Sequence, residues 1–315
     1  MRKVAILFPR LDVAFKEGHV PEQRGSIPQI RMHWQNMGNM LLNHHRVRGD
    51  DVRFIEKPLW QFNPEFAASL DADIIYIPHK SSDTFPVPNK EVRYYMQTVF
   101  PWQFYIDSKG FAGGASRYPF VPDLVGGNFY DLMVSRARMG ESKFEQPAKK
   151  NISLPSDFVL YLCQIPHDET IKYHSDVTVE QALEATCKAT EALNIPLYVK
   201  GHPVNPTSMI NLMSIATKYR HTRWIEDVNI HDIIPHARAV VVVNSGTGME
   251  TLLHKRPIVT FGRCEYDCVS NKATTDNIVD ILRDPKFDEK AVRAFFASWY
   301  EWTYDSRSSK SFERL

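Results

Sequence analysis

The chain has 315 residues, long enough for two domains that each bury a core, and its charges nearly cancel: 38 lysines and arginines against 37 aspartates and glutamates. A general nucleic-acid binder carries a marked basic excess, so that class is set aside. Hydrophobic residues make up 43% of the chain in runs of strand length, far short of a bilayer span, and no transmembrane segment is expected.

Met1, Arg2 and Lys3 lead directly into Val4 to Phe8, a buried-strand pattern and not a secretory leader, so the expectation is a cytoplasmic protein. Ile30 to Val47 has apolar residues at helical intervals, and Val52 to Glu56 reads as a second strand. Ala72 to Ile77 is a further buried strand closed by Pro78, with His79 and Lys80 after it. A helix is expected near Lys90 to Val99 and a strand at Gln103 to Ile106, giving an α/β domain on a parallel sheet. Asp107 to Pro122 is dense in glycine, small residues and aromatics, which suits a loop shaped around something else. Gly140 to Ser156 is polar, contains two prolines and lacks periodicity, so it is read as the domain boundary.

A second α/β series follows. Its strands are expected at Phe158 to Leu162, Leu197 to Lys200, Thr222 to Trp224, Ala239 to Val243 and Ile258 to Phe261. Its helices are expected at Thr178 to Leu193, Thr207 to Tyr219, Ile230 to His236 and Gly248 to His254, the first capped by Asp176 or Thr178. Phe295 to Tyr304 reads as a C-terminal helix packing back on the body. Residues 1–145 would form an N-terminal Rossmann-like domain that receives the acceptor. Residues 146–290 would form a C-terminal Rossmann-like donor domain, and 291–315 the helix and tail. Two such domains facing a central cleft describe the GT-B arrangement, because ligands collect beyond the carboxyl ends of parallel strands.

Three polar segments follow strand ends of the second series and so share one rim. They are Gln164 to Glu169, then Lys200 to Pro203, then the turn Asn244, Ser245, Gly246, Thr247, Gly248 with Glu250 one turn further on. The last is strand, glycine-containing turn and helix, whose free N–H groups and macrodipole can receive a phosphate. A histidine, a lysine, a helix start and a carboxylate around one crevice can hold a nucleotide phosphate and its sugar.

Taken in order, Q-x-x-x-D at Gln164 and Asp168, K-x-H-P at Lys200 to Pro203 and N-S-x-x-G-x-E at Asn244 to Glu250 resemble the bacterial capsule polysaccharide synthesis family, which includes retaining β-Kdo transferases. The resemblance covers about the second half of the chain. The family usually has proline where Gly201 stands and alanine where Thr251 stands. The resemblance implies a GT-B glycosyltransferase that uses a CMP-activated sugar without a metal or cofactor. It implies that Asp168 is the carboxylate nucleophile of a double displacement, with Gln164 steadying it or the sugar. His202, Ser245 and Gly248 would meet the donor phosphate, and Glu250 ribose or base, with Lys200 beside them.

His79, Lys80 and Asp107 are candidate acceptor contacts in the first half. Cys163 and Cys187 read as buried thiols. Cys264 and Cys268 form a close pair without zinc-finger partners, so no structural zinc is expected. Two other readings stay open: a CDP-polyol phosphotransferase of similar fold, and a non-catalytic nucleotide-sugar-binding protein. Expected partners are the nucleotide-sugar donor and a saccharide or glycolipid acceptor, with peripheral membrane contact left open.

Overall fold

The computed structural model describes residues 1–10, 27–144, 146–148, 153–203 and 207–315. The expected linker Gly140–Ser156 therefore lies partly outside the described residues, at 145 and 149–152. The chain forms two compact units, one of residues 1–118 and 300–315, the other of residues 119–299.

In the first unit, β1 (Lys3–Pro9) is apolar and buried from Val4 onward because both its faces are covered. Helix α1 (Ile27–Val47) buries Trp34, Met37 and Leu41 against β1 and its neighbours. Strands β2 (Asp51–Lys57) and β3 (Ile74–Pro78) flank β1 in parallel, with the short α2 (Pro64–Ser69), capped by Asn63, between them in sequence. The segment expected to be helical near Lys90–Val99 is instead strand β4 (Glu91–Gln97), parallel to β3. Strand β5 (Gln103–Asp107) runs antiparallel to β4. The sheet is therefore mixed, not all parallel. Tyr94 and Tyr95 explain the exchange: both are buried, and their hydroxyls donate to Phe85 O and Leu7 O, bonds that a helix there would forgo.

Helix α3 (Phe129–Arg138) belongs to the second unit, so the compact division falls earlier than composition suggested. Tyr130 packs at a tilt against Phe296 and donates to Leu252 O, and Ser298 Oγ accepts from the Asp123 and Leu124 N–H groups. Polarity marked the 140–156 stretch as a linker, but packing assigns its surroundings to one body.

The second sheet contains β6 (Val159–Leu162), β7 (Leu197–Lys200), β8 (Thr222–Ile225), β9 (Ala239–Val242), β10 (Ile258–Thr260) and β11 (Asn271–Lys272), all parallel. Read across, the strands run β11-β10-β9-β6-β7-β8. This is the doubly wound dinucleotide-fold order, and its direction reverses between β6 and β9, the switch point at which sheets of this kind bind their ligands. The connecting helices are α4 (Glu169–His174), α5 (Val179–Ala192), α6 (Ile210–Ala216), α7 (Ile230–Ile233), α8 (Thr247–Leu253) and α9 (Ile278–Arg283). Helix α5 starts in a capping box in which Thr178 and Gln181 exchange side-chain and backbone hydrogen bonds, settling the cap on Thr178.

Helix α10 (Glu289–Trp302) buries Phe295, Phe296 and Trp299. Beyond it the chain is not helical to Tyr304 as expected: β12 (Thr303–Asp305) joins the first sheet antiparallel to β5. Among the described residues no helix is long and apolar enough to cross a membrane.

Candidate functional site in the second unit

The neighbouring ends of β6 and β9 are tied by side chains. Gln164 Oε1 accepts from Val243 N at 3.0 Å and Asn244 N at 2.9 Å, while its Nε2 donates to Asn244 Oδ1 at 2.9 Å. Asn244 Nδ2 in turn donates to Thr170 O at 2.9 Å, linking the start of α4. Both residues are buried. Gln164 and Asn244 therefore act as a clasp across the switch point.

Asp168 caps α4. Its Oδ1 accepts from Thr170 N at 2.9 Å and Thr170 Oγ1 at 2.8 Å, and the residue is exposed. Its Oδ2 makes no hydrogen bond among the described residues. One oxygen is thus held while the other faces outward, a geometry suited to a nucleophile whose direction is fixed.

The charge of Asp168 is felt at His202 and at Lys143. His202 follows β7, its N–H donates to Met209 Sδ, and its ring meets the edge of Phe144 with centroids 5.7 Å apart. Burial pushes its imidazole down to about 4, with Lys200 and Lys143 acting in the same direction and Asp168 against it. The ring is neutral at neutral pH. Lys200 and Lys143 are both lowered as well, chiefly by burial.

In the turn after β9, Ser245 Oγ accepts from Thr247 Oγ1 at 2.8 Å and Thr247 N at 3.3 Å, and Gly246 is exposed. Ser245 N–H and Gly246 N–H make no hydrogen bond among the described residues. Gly248 is a different matter. A Cβ there would lie 2.2 Å from Tyr266 Cζ, and the Tyr266 hydroxyl donates to Ser245 O. Its lack of a side chain serves packing against Tyr266.

Glu250 lies beneath the same turn. It is 3% exposed, and its Oε1 accepts from Ser142 Oγ. Burial raises its carboxyl to about 7, opposed by the Ser142 hydrogen bond and Lys143. His231 Nε2 lies 3.9 Å away, and His231 Nδ1 is 2.8 Å from His254 Nε2. Glu250 thus holds the 142–144 segment from beneath the rim. Ser142 and Lys143 escaped sequence reasoning because they lie in a polar stretch without periodicity, and only the third dimension brings them to α8.

The candidate acceptor residues stand in the first unit. Asp107 is buried, and its carboxylate accepts from Lys109 N, Gly110 N, Ser116 N, Ser116 Oγ and Tyr105 OH. It shapes its own loop and has no capacity left for an acceptor. Gly110, at φ +153, sits against Ser81, where a Cβ would be 2.5 Å from that side chain. His79 is held at φ +53 with its ring 4.8 Å from Trp34, and Lys80 beside it is half-buried. Of the cysteines, Cys163, Cys187 and Cys264 are buried and Cys268 is exposed. Among the described residues no three His, Cys, Asp or Glu side chains cluster as a metal site would.

A family model described as capsule polysaccharide biosynthesis protein matches residues 127–297, more than half of the chain. No curated protein sequence matches it. Among solved structures, the beta Kdo 2,4 transferase of Thermosulfurimonas dismutans KpsC is similar with a TM-score of 0.57 and 15% identity, covering 97% of this chain and 93% of that one. The beta Kdo 2,7 transferase of the same protein gives 0.51 and 13%, over 94% and 90%. These likenesses support the GT-B fold of two Rossmann-like domains. The sheet order, the clasped strand ends and the family match over the second unit together make the chain a member of the capsule polysaccharide biosynthesis protein family.

Proposed function

We propose that the protein is a cytoplasmic glycosyltransferase that moves a sugar from a nucleotide-sugar donor to a saccharide acceptor in surface or capsule glycan synthesis, with retention at the anomeric carbon. A CMP-activated sugar acid of the Kdo type is the donor favoured by the likeness to the two Kdo transferases. The observation that carries the reading is that Asp168, after β6, and His202, after β7, stand at the same carboxyl edge of a doubly wound sheet, near enough that the charges of Asp168 and Lys143 act on His202.

In this mechanism Asp168 Oδ2 attacks the anomeric carbon, the bond from that carbon to the phosphate oxygen breaks, and the nucleotide monophosphate leaves. The acceptor hydroxyl then attacks the same carbon, loses its proton and releases the carboxylate. Neutral His202 hydrogen-bonds the phosphate, and the turn after β9 supplies the N–H groups of Ser245 and Gly246 to it. Glu250 and the clasp hold these parts without reacting.

The test is Asp168→Asn, which keeps an acceptor for the α4 cap, assayed with a panel of CMP-, CDP-, UDP- and GDP-sugars. Transfer falls by at least about a thousandfold while nucleotide binding persists. Normal turnover would remove Asp168 from the reaction. A product with inverted configuration, or a transferred phosphate, would overturn the retaining glycosyl reading.

A further inference from the structure

We infer that Lys143 is the cation that receives the anionic oxygens of the donor, an interaction that completes the site proposed above. The inference rests on that reading, because it needs a charged donor at this rim.

Three observations place Lys143 there. Its two neighbours in sequence are fastened to different loops of the site: Ser142 Oγ donates to Glu250 beneath the turn after β9, and Phe144 meets His202 after β7. The residue between them is thereby fixed where those two loops adjoin. Asp168, Glu250 and Glu265 lie near enough to act on its ammonium, and the same ammonium acts on His202, so the group belongs with these rim residues. Finally, Lys143 makes no hydrogen bond or ion pair among the described residues, so its half-buried ammonium keeps its donors for an arriving anion.

The chemistry of the rim calls for such a group. His202 is neutral, so it can share a hydrogen bond with a phosphate and offers no charge to balance one. The turn N–H groups at Ser245 and Gly246 supply partial charge only. Lys200 is a second cation that acts on His202, from the end of β7. An ammonium with three donors suits a phosphate or a sugar-acid carboxylate, and either would be met as a compact point charge. Burial also lowers its proton affinity in the free protein, so an arriving anion raises that affinity and donor binding weakens as pH rises.

The experiment uses the full chain and calorimetric titration with cytidine, CMP and a CMP-linked sugar acid, comparing wild type, Lys143→Met and Lys143→Arg. Wild type binds CMP more tightly than cytidine, and Lys143→Met weakens the affected ligand by about tenfold or more, the size expected of one charge-assisted hydrogen bond. Lys143→Arg recovers most of it. If CMP and the CMP-sugar lose affinity equally, the ammonium meets the phosphate. If only the CMP-sugar loses affinity, it meets the sugar carboxylate. Unchanged affinity for both overturns the inference and leaves the donor reading standing. Should wild type bind no nucleotide at all, the underlying donor reading itself fails. As a measurement independent of the variants, CMP or the CMP-sugar should protect Lys143 of wild type from an amine-reactive reagent, read by mass spectrometry. Equal labelling with and without both ligands also counts against the assignment.

Discussion

Glu250 and His202 illustrate how the same burial acts with opposite sign on an acid and a base. His202 is driven toward its neutral form from above, and Glu250 toward its neutral form from below, reaching about 7. For Glu250 the folded state binds more protons than the unfolded chain between 4.5 and 7, so stability is lost as pH rises through that window. Glu250→Gln keeps an oxygen for the Ser142 hydroxyl and removes the charge. The variant is expected to be more stable than wild type at pH 8, by up to about 3 kcal/mol, with no difference well below pH 4.5. Urea unfolding at the two pH values measures this. The polar residues after strand ends were readable from sequence because a strand that stops at a polar residue delivers it to the rim. Their division of labour was not, since Gln164 facing a ligand and Gln164 clasping β9 have the same spelling. Gly201 makes a related point: a Cβ there would lie 2.9 Å from Trp224 Cζ2, so the indole occupies the space that a proline would need.

Among the elements, β1, β3, β6 and β9 announce themselves because strands covered on both faces are apolar without alternation. Strand β4 does not: Val92, Tyr95, Met96 and Val99 recur at helical intervals, and its pairing with β3 and β5 overrides that local pattern. Strand β12 was hidden because the aromatic spacing of α10 runs on into Thr303 and Tyr304. Lys143 was hidden for the converse reason, as its segment has no pattern to read and its anchors, Glu250 and His202, lie far along the chain. Helix α8 carries the prediction at this scale. Gly248→Ala gains helix propensity but forces the Tyr266 ring away from Ser245, and overpacking of this kind costs about 1–3 kcal/mol. Thermal unfolding should register the loss, and a stabilised variant would show that Tyr266 moves freely.

At the scale of the whole chain, the first unit is made of both its early and its late residues. Beyond Trp299, β12 completes the edge beside β5, Phe312 is buried in the same core as Phe104, and Arg314 bonds Thr303 O and Glu301. Ending the chain at Trp299 is expected to destabilise this unit by about 3 kcal/mol or more from the lost aromatic burial. Hydrogen exchange should quicken along β4 and β5, with β6 to β9 protected as before. The same dependence sets an order of events during synthesis. A ribosome delivers β5 almost two hundred residues before its neighbour β12, so the nascent first sheet waits with an unsatisfied border while the second sheet has all its strands in hand. That interval, when backbone groups stand open to stray pairing, is where a chaperone or a slow translation rate would matter most to the yield of native protein.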